Sequence, residues 1–207
     1  MNIENINDLE FLFRKKGIDI RNTISSASQI ILYGSRASGV SDADSDYDLL
    51  FIGQGESIKE NGIDLSWIEK SKLDTKEWLE SELAVHIAKY GRWLKGKDNW
   101  RTKARITEST VEKKKTKIKN YVESLRNRFE KLSFPFQNKY VIKVRRDVQR
   151  LFLLLKNEPI PPKQVLDNEW KENKHLRKRV LEYISKELLD SNDSKKLFDY
   201  FREMEAT

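Results

Sequence analysis

Apolar and polar positions follow two different periods along this chain, and the change of period divides it. Ile6, Leu9, Phe11, Leu12 and Phe13 recur near helical spacing, which predicts an opening helix within residues 5–24 with a candidate end at Gly17. Three short apolar runs follow. Gln29 to Tyr33 meets a Gly34-Ser35 turn, and Tyr47 to Ile52 is closed by Gly53 and Gly55, so both predict buried strands. The third, Gly62 to Ile68, alternates Ile63, Leu65 and Trp67 against Asp64 and Ser66, which turns Asp64 to the face opposite the apolar side chains.

From Asp74 onward the period becomes helical. Asp74 or Thr75 is a candidate cap for a helix carrying Trp78, Leu79, Leu83, Ile87 and Tyr90 and ending at Gly91. Residues 93–100, with two tryptophans and Gly96, predict a loop. Helices are expected over residues 103–131, 138–157, 172–189 and 193–204, with Pro135 between the first two and Pro159, Pro161 and Pro162 ending the second. The expected fold class is α+β. A small mixed β-sheet core with flanking helices fills residues 1–100, and a C-terminal helical bundle fills residues 101–207.

Composition agrees with a helix-rich protein, since 35% of residues are charged and 38% hydrophobic. No window holds the roughly 18 apolar residues of a membrane span, and no basic-then-apolar leader opens the chain, so no membrane partner is expected. Cysteine is absent, which removes disulfides and thiolate metal sites and suits a reducing cytoplasm, the expected location. The net charge of +7 hides a division: residues 1–100 carry 13 basic and 17 acidic side chains, residues 101–207 carry 27 and 16. Such asymmetry suits a polyanion held by the second half, and equally suits lysine-rich solvated helix faces.

The chemistry gathers in Tyr33-Gly34-Ser35-Arg36-Ala37-Ser38-Gly39 and Ser45-Asp46-Tyr47-Asp48-Leu49. Gly34 permits a sharp turn after a buried strand and a close approach of backbone N–H groups to a ligand. Ser35 adds a hydroxyl at the start of an expected helix, where unpaired N–H groups favour phosphate. Asp46 and Asp48, two apart at a strand start, project from one face, and their repulsion calls for a cation. Mg²⁺ suits such oxygen ligands and is commonly completed by substrate phosphates. Asp64, on the next strand, is placed to ligate a second ion or to accept a proton from an attacking hydroxyl.

These residues resemble the signature of the DNA polymerase β-like nucleotidyltransferase superfamily: a Gly-Ser turn, an Asp-x-Asp pair and a later single carboxylate. Ten residues lie between Ser35 and Asp46, a spacing similar to that of the minimal nucleotidyltransferases and the aminoglycoside-modifying group. The resemblance implies a two-metal site on Asp46, Asp48 and Asp64, with Gly34 and Ser35 on the triphosphate of a bound NTP, ATP being the expected donor. It offers Arg36 as a further phosphate contact, although Arg36 can instead face solvent or pair with Asp42 or Asp44. The implied reaction passes a nucleoside monophosphate, AMP by expectation, to an acceptor hydroxyl with release of pyrophosphate. RNA (a transfer-RNA end) or a protein is the expected acceptor, bound through the basic helices. A small aminoglycoside-like acceptor and an inactive nucleotide-binding regulatory module are the alternatives.

Other residues read as structural. His86 is expected to be partly buried, His175 exposed, and Trp93 and Trp100 packed rather than stacked on a base. Lys113, Lys114, Lys115, Lys117 and Lys119 spread around their helix as a solvated surface. Lys143, Arg146 and Arg150 share a face opposite Val141, Val144, Val148, Leu151 and Leu155, and Arg177, Lys178 and Arg179 extend it as a candidate nucleic-acid contact.

Overall fold

The computed structural model describes residues 3–126, 128–189 and 195–203. They form two compact units, one of residues 1–106 with 161–164, the other of residues 107–160 with 165–207. The first unit runs to Ile106, and a short later segment, Pro161–Gln164, returns to it.

The first unit is built on a five-stranded sheet in the order β3-β4-β2-β1-β5. Its strands are β1 (Gln29–Tyr33), β2 (Tyr47–Ile52), β3 (Ile58–Glu60), β4 (Ile63–Ile68) and β5 (Arg92–Lys95). β2 and β4 run parallel and the other neighbours antiparallel, so the sheet is mixed. Because successive side chains point to opposite faces, each central strand feeds two cores. Ile30, Leu32, Leu49, Phe51, Ile63 and Leu65 join Leu9, Leu12 and Phe13 of α1 (Ile6–Lys15) and Ile24 of α2 (Arg21–Ser26). Ile31, Leu50 and Ile52 point the other way, against Trp78 and Leu79 of α4 (Lys76–Leu79) and Ala84 and Ile87 of α5 (Glu82–Tyr90). A four-residue helix, α3 (Gly34–Ala37), follows β1 directly.

Several expectations change in detail. The opening helix is two helices, because Gly17 takes a left-handed φ of 74° and the chain must re-enter at Ile20. β3 and β5 replace stretches without strong apolar alternation, and both lie at sheet edges, where one face of pairing suffices. The helix after Thr75 restarts at Ser81, whose side chain accepts from the Ala84 amide, and the restart leaves Leu83 exposed.

The second unit is helical: α6 (Glu108–Arg126), α7 (Phe134–Leu155), α8 (Lys163–Glu172, its first two residues belonging to the first unit), α9 (Lys174–Tyr183) and α10 (Lys195–Glu203). Pro135 lies within the first turn of α7 rather than between helices, a position where no intrahelical N–H is needed. α8 was not expected; it follows the prolines immediately and shows only Leu166 and Trp170 as buried apolar residues. Residues 193, 194 and 204 of the last expected helix lie outside the described residues. The core packs Ile118, Val122 and Leu125 of α6 against Val141, Val144, Val148 and Leu151 of α7. Within it, Lys114 and Asp147 form a 3.0 Å ion pair with side chains 0% and 3% exposed. Among the described residues, no helix is long and apolar enough to cross a membrane.

Candidate active site

Strand register assembles the site. Lys59 of β3 is paired with Asp64 of β4, Asp64 with Asp48 of β2, and Asp48 with Tyr33 of β1. Directly paired residues share a face, so these four side chains form one row across the sheet. The row lies on the face that carries Ile31, Leu50 and Ile52, opposite the α1 side. Asp46 precedes β2 and stays exposed, with Oδ1 beside Gly62. The sequence placed Asp46, Asp48 and Asp64 together, and the sheet brings them together by pairing β2 with β4.

The turn after β1 closes against this row. Gly34 has φ 71°, and a Cβ there would stand 2.1 Å from Asp48 Oδ2. Only glycine gives the carboxylate that space. Ser35, 6% exposed, follows in α3, whose N-terminus receives no side-chain cap. Arg36 takes a course that the sequence did not offer, toward a backbone carbonyl rather than Asp42 or Asp44. Its Nε and Nη2 donate to the Ser45 carbonyl at 2.9 and 2.6 Å, and its guanidinium lies 4.0 Å from the Tyr47 ring centroid. Arg36 therefore pins the loop between α3 and β2 against the sheet.

Electrostatics mark Asp48 as the strained member. Burial first, then the charges of Asp64 and Asp46, push its carboxyl up to about 6, against the weaker pull of Lys163 and Lys59. Burial, with help from Asp48 and Asp64, drives the Tyr33 hydroxyl well above its usual range, so Tyr33 stays protonated beside the acids. Asp64 differs in having a direct cation: Lys59 Nζ donates to its Oδ2 at 2.6 Å, with Lys59 81% exposed. Among the described residues, no three carboxylate or imidazole groups stand as a ready metal-holding set. Asp64 is tied to Lys59. The donor chemistry still fits a divalent cation at Asp46 and Asp48, all oxygen and with the repulsion on Asp48 only partly offset by Lys163 and Lys59.

Four residues near this cluster escaped the sequence reading. Lys59 sits on the unexpected strand β3, and Tyr33 looked like the end of a buried run. Lys163 and Gln164 come from the segment that returns to the first unit; the Lys163 charge acts on Asp42 and Asp48, and Gln164 Nε2 lies 3.2 Å from Ser45 Oγ. Nothing in local periodicity predicts a contact across 119 residues. His86 is half-buried, 6.3 Å from Tyr33 and 5.3 Å from Tyr90 between ring centroids. Trp100 is buried, and both it and Trp93 donate to Gln29 Oε1 at 3.3 Å, as packing residues do.

The expected basic face of the second unit is largely committed to internal partners. Arg145 and Arg146 both bind Asp167, Arg150 and the fully buried Lys114 bind Asp147, and Arg177 donates to the carbonyls of Trp170 and Lys171. Arg145 and Lys114 are core residues, not members of a solvated surface. The surface is correspondingly less able to serve as a focused polyanion stripe.

The chain matches the nucleotidyltransferase domain over residues 14–183. No curated protein matches it significantly. Among solved structures, the spectinomycin adenyltransferase AAD(9) from Enterococcus faecialis shares the fold, at TM-score 0.50 and 15% identity, with 100% of each chain covered. A nucleotidyltransferase-like protein from Exiguobacterium sibiricum 255-15 aligns at TM-score 0.40 and 16% identity, over 96% of this chain and 74% of that one. The family match spans most of the chain and includes the Gly34 turn and the acidic row, so the chain belongs to the nucleotidyltransferase domain family and is a nucleotidyltransferase.

Proposed function

We propose that this enzyme transfers AMP from ATP to the hydroxyl of an acceptor, with pyrophosphate leaving, and that Asp46 and Asp48 hold the divalent cation it needs. The observation that carries this reading is Asp48, a half-buried carboxylate flanked by two others and facing a glycine turn that no side chain blocks. Such a cluster has little structural use, since its charges destabilise the fold that holds them. A regulatory module without catalysis would have no need to keep it.

The residues divide the work as follows. The backbone at Gly34 and Ser35 receives the triphosphate, where the glycine lets main-chain N–H groups approach an anion closely. A bound Mg²⁺ supplies neutralisation of phosphate charge and polarisation of the reacting phosphorus. Asp64 accepts the proton of the attacking hydroxyl as the acceptor oxygen bonds to the α-phosphorus and the α–β bridging bond breaks. Lys59 donates to Asp64 Oδ2 and must release it for the carboxylate to act. Arg36 we assign to the loop rather than to phosphate, because its donors already face the Ser45 and Ala43 carbonyls. Catalysis is then positioning and electrostatic stabilisation, as is general for phosphoryl transfer.

For the acceptor, the internal pairing of Arg145, Arg146, Arg150 and Arg177 favours a small polyol or aminoglycoside-like molecule over RNA or protein. The similar fold described with ATP and spectinomycin makes those two compounds sensible first probes. The second half is nevertheless strongly basic, so a macromolecular acceptor is the reading to test against it. We place the activity in the cytoplasm, which suits a chain without cysteine. The test compares ATP labelled at the α-phosphate with ATP labelled at the γ-phosphate, with Mg²⁺ and a cell extract. Label on an acceptor from the first and in pyrophosphate from the second supports transfer. Label on an acceptor from γ-phosphate would instead show a kinase and overturn the reading.

A further inference from the structure

The loop between α3 and β2 delivers Asp46 and leads into the strand that carries Asp48, yet it has no secondary structure of its own to hold it. Three side chains do that work, and they converge on Ser45, which is 6% exposed and directly precedes Asp46. Arg36 grips the Ser45 carbonyl with two donors. The Ser45 hydroxyl donates to Asp42 Oδ1 at 2.6 Å and accepts from the Asp42 amide at 3.1 Å, which closes the loop on itself. The third tie comes from far along the chain: Gln164 Nε2 donates to the same hydroxyl at 3.2 Å. Ser45 Oγ is thereby saturated, giving one hydrogen bond and taking two.

Gln164 makes this contact from a segment far along the chain. It belongs to the four-residue segment Pro161–Gln164 that packs with the first unit while the chain on either side belongs to the second. Its amide oxygen is buried without a hydrogen-bond partner, so only its donor end is used. The same segment carries Lys163, whose charge reaches Asp42 and Asp48, so the contact also fixes where that cation stands.

We propose that Gln164 is a positioning residue for nucleotidyl transfer, acting through Ser45 to hold the loop that presents Asp46 and enters the strand of Asp48. The inference rests on the proposed role of those two acids. It makes the catalytic geometry of the first unit depend on a segment more than 100 residues further along the chain, without Gln164 touching nucleotide or metal. Loss of the tie should lower turnover rather than nucleotide affinity, since the phosphate-binding turn at Gly34 is held independently by β1 and α3. A displacement of about 1 Å at a reacting centre can reduce rate on the order of 100-fold.

The test measures initial rates of label transfer from α-labelled ATP in the Mg²⁺ and extract assay, over a range of ATP concentrations. It compares the full-length wild type with Asp48→Asn, Gln164→Leu, Gln164→Glu, Ser45→Ala and the Ser45→Ala, Gln164→Leu double variant. Gln164→Glu keeps the shape but removes the donor. Both Gln164 variants and Ser45→Ala should lower the maximal rate by roughly 10- to 100-fold with KM for ATP within about twofold. The double variant should be no worse than the poorer single one, because both act through one contact. Hydrogen exchange at the Asp42 amide should speed up in every one of these variants except Asp48→Asn. Multiplying losses in the double variant, unchanged turnover in both Gln164 variants, or a rise in KM alone would overturn the proposal. Full transfer by Asp48→Asn would instead overturn the assignment of the acids, so the two failures are distinguishable. If Ser45→Ala does not fold, the two Gln164 variants and the exchange measurement still decide.

Discussion

Asp48 concentrates opposing demands in one side chain. Its carboxyl is pushed up to about 6 by burial and by Asp64 and Asp46, so at neutral pH the folded chain holds a charge it would rather neutralise. A raised carboxyl pKa contributes stability below the unfolded value of 3.8 that is lost as pH rises through 6. Asp48→Asn should therefore abolish transfer and, without added metal, stabilise the protein at pH 7–8 by about 1–3 kcal/mol, an order-of-magnitude figure read by denaturant unfolding. A residue kept for structure would show the opposite sign. Gly34→Ala should act in the other direction on both counts. Its Cβ would meet Asp48 Oδ2 at 2.1 Å and its φ of 71° is strained for alanine, so activity should fall at least about 100-fold, with stability lower by about 1–3 kcal/mol. At this scale the sequence was informative where chemistry forces residue type. A glycine turn and paired acids are legible because few structural roles ask for them. Arg36 was not, since a guanidinium serves a phosphate or a carbonyl equally well and only the course of the 38–45 loop decides.

Among elements, the parallel pairing of β2 with β4 makes the site, because it sets Asp48 beside Asp64 in register. The three apolar runs revealed these strands and the burial of the first two. They could not reveal β3 or β5, which are short or half-exposed edges with weak alternation, nor therefore Lys59, which rides on β3. The helices show the same limit. Long amphipathic stretches were visible, whereas α8 shows only Leu166 and Trp170 as buried apolar residues and stayed hidden behind the prolines. α6 and α7 are joined by Lys114 and Asp147, a pair with almost no exposure. Breaking it from one side leaves a buried charge, so Lys114→Met should destabilise the protein by about 3–5 kcal/mol. Adding Asp147→Leu should restore part of that loss, Arg150 remaining without its partner. Additive losses in thermal or denaturant unfolding would show that the pair is not the joint it resembles.

For the whole molecule, the same ionisations shape stability against pH. Burial pushes the Asp147 carboxyl up, but Lys114, Arg150 and the Lys114 hydrogen bond prevail and hold it below its usual range. A lowered carboxyl pKa contributes stability that is present above the unfolded value of 3.8 and lost as pH falls through the folded one. The protein without metal should thus lose stability on two sides, below about pH 4 through Asp147 and between about pH 4 and 6 through Asp48, and Mg²⁺ should relieve only the second. Thermal midpoints across that range, with and without Mg²⁺, measure both. The charge division between the halves was plain in the sequence, but its use was not. Composition counts arginines without showing that Arg145, Arg146, Arg150 and Arg177 already have partners. If a macromolecular polyanion were nevertheless the acceptor, its binding would weaken steeply with salt; a small acceptor should show little such dependence.

The most direct measurement is transfer of label from α-labelled ATP by the wild type, Asp46→Asn and Asp48→Asn in parallel, each first shown to be folded. Wild type should label an acceptor in the presence of Mg²⁺ and lose the activity when the metal is chelated, and both variants should be inactive. Undiminished labelling by either variant, or by the wild type without divalent metal, would contradict the assignment of these acids.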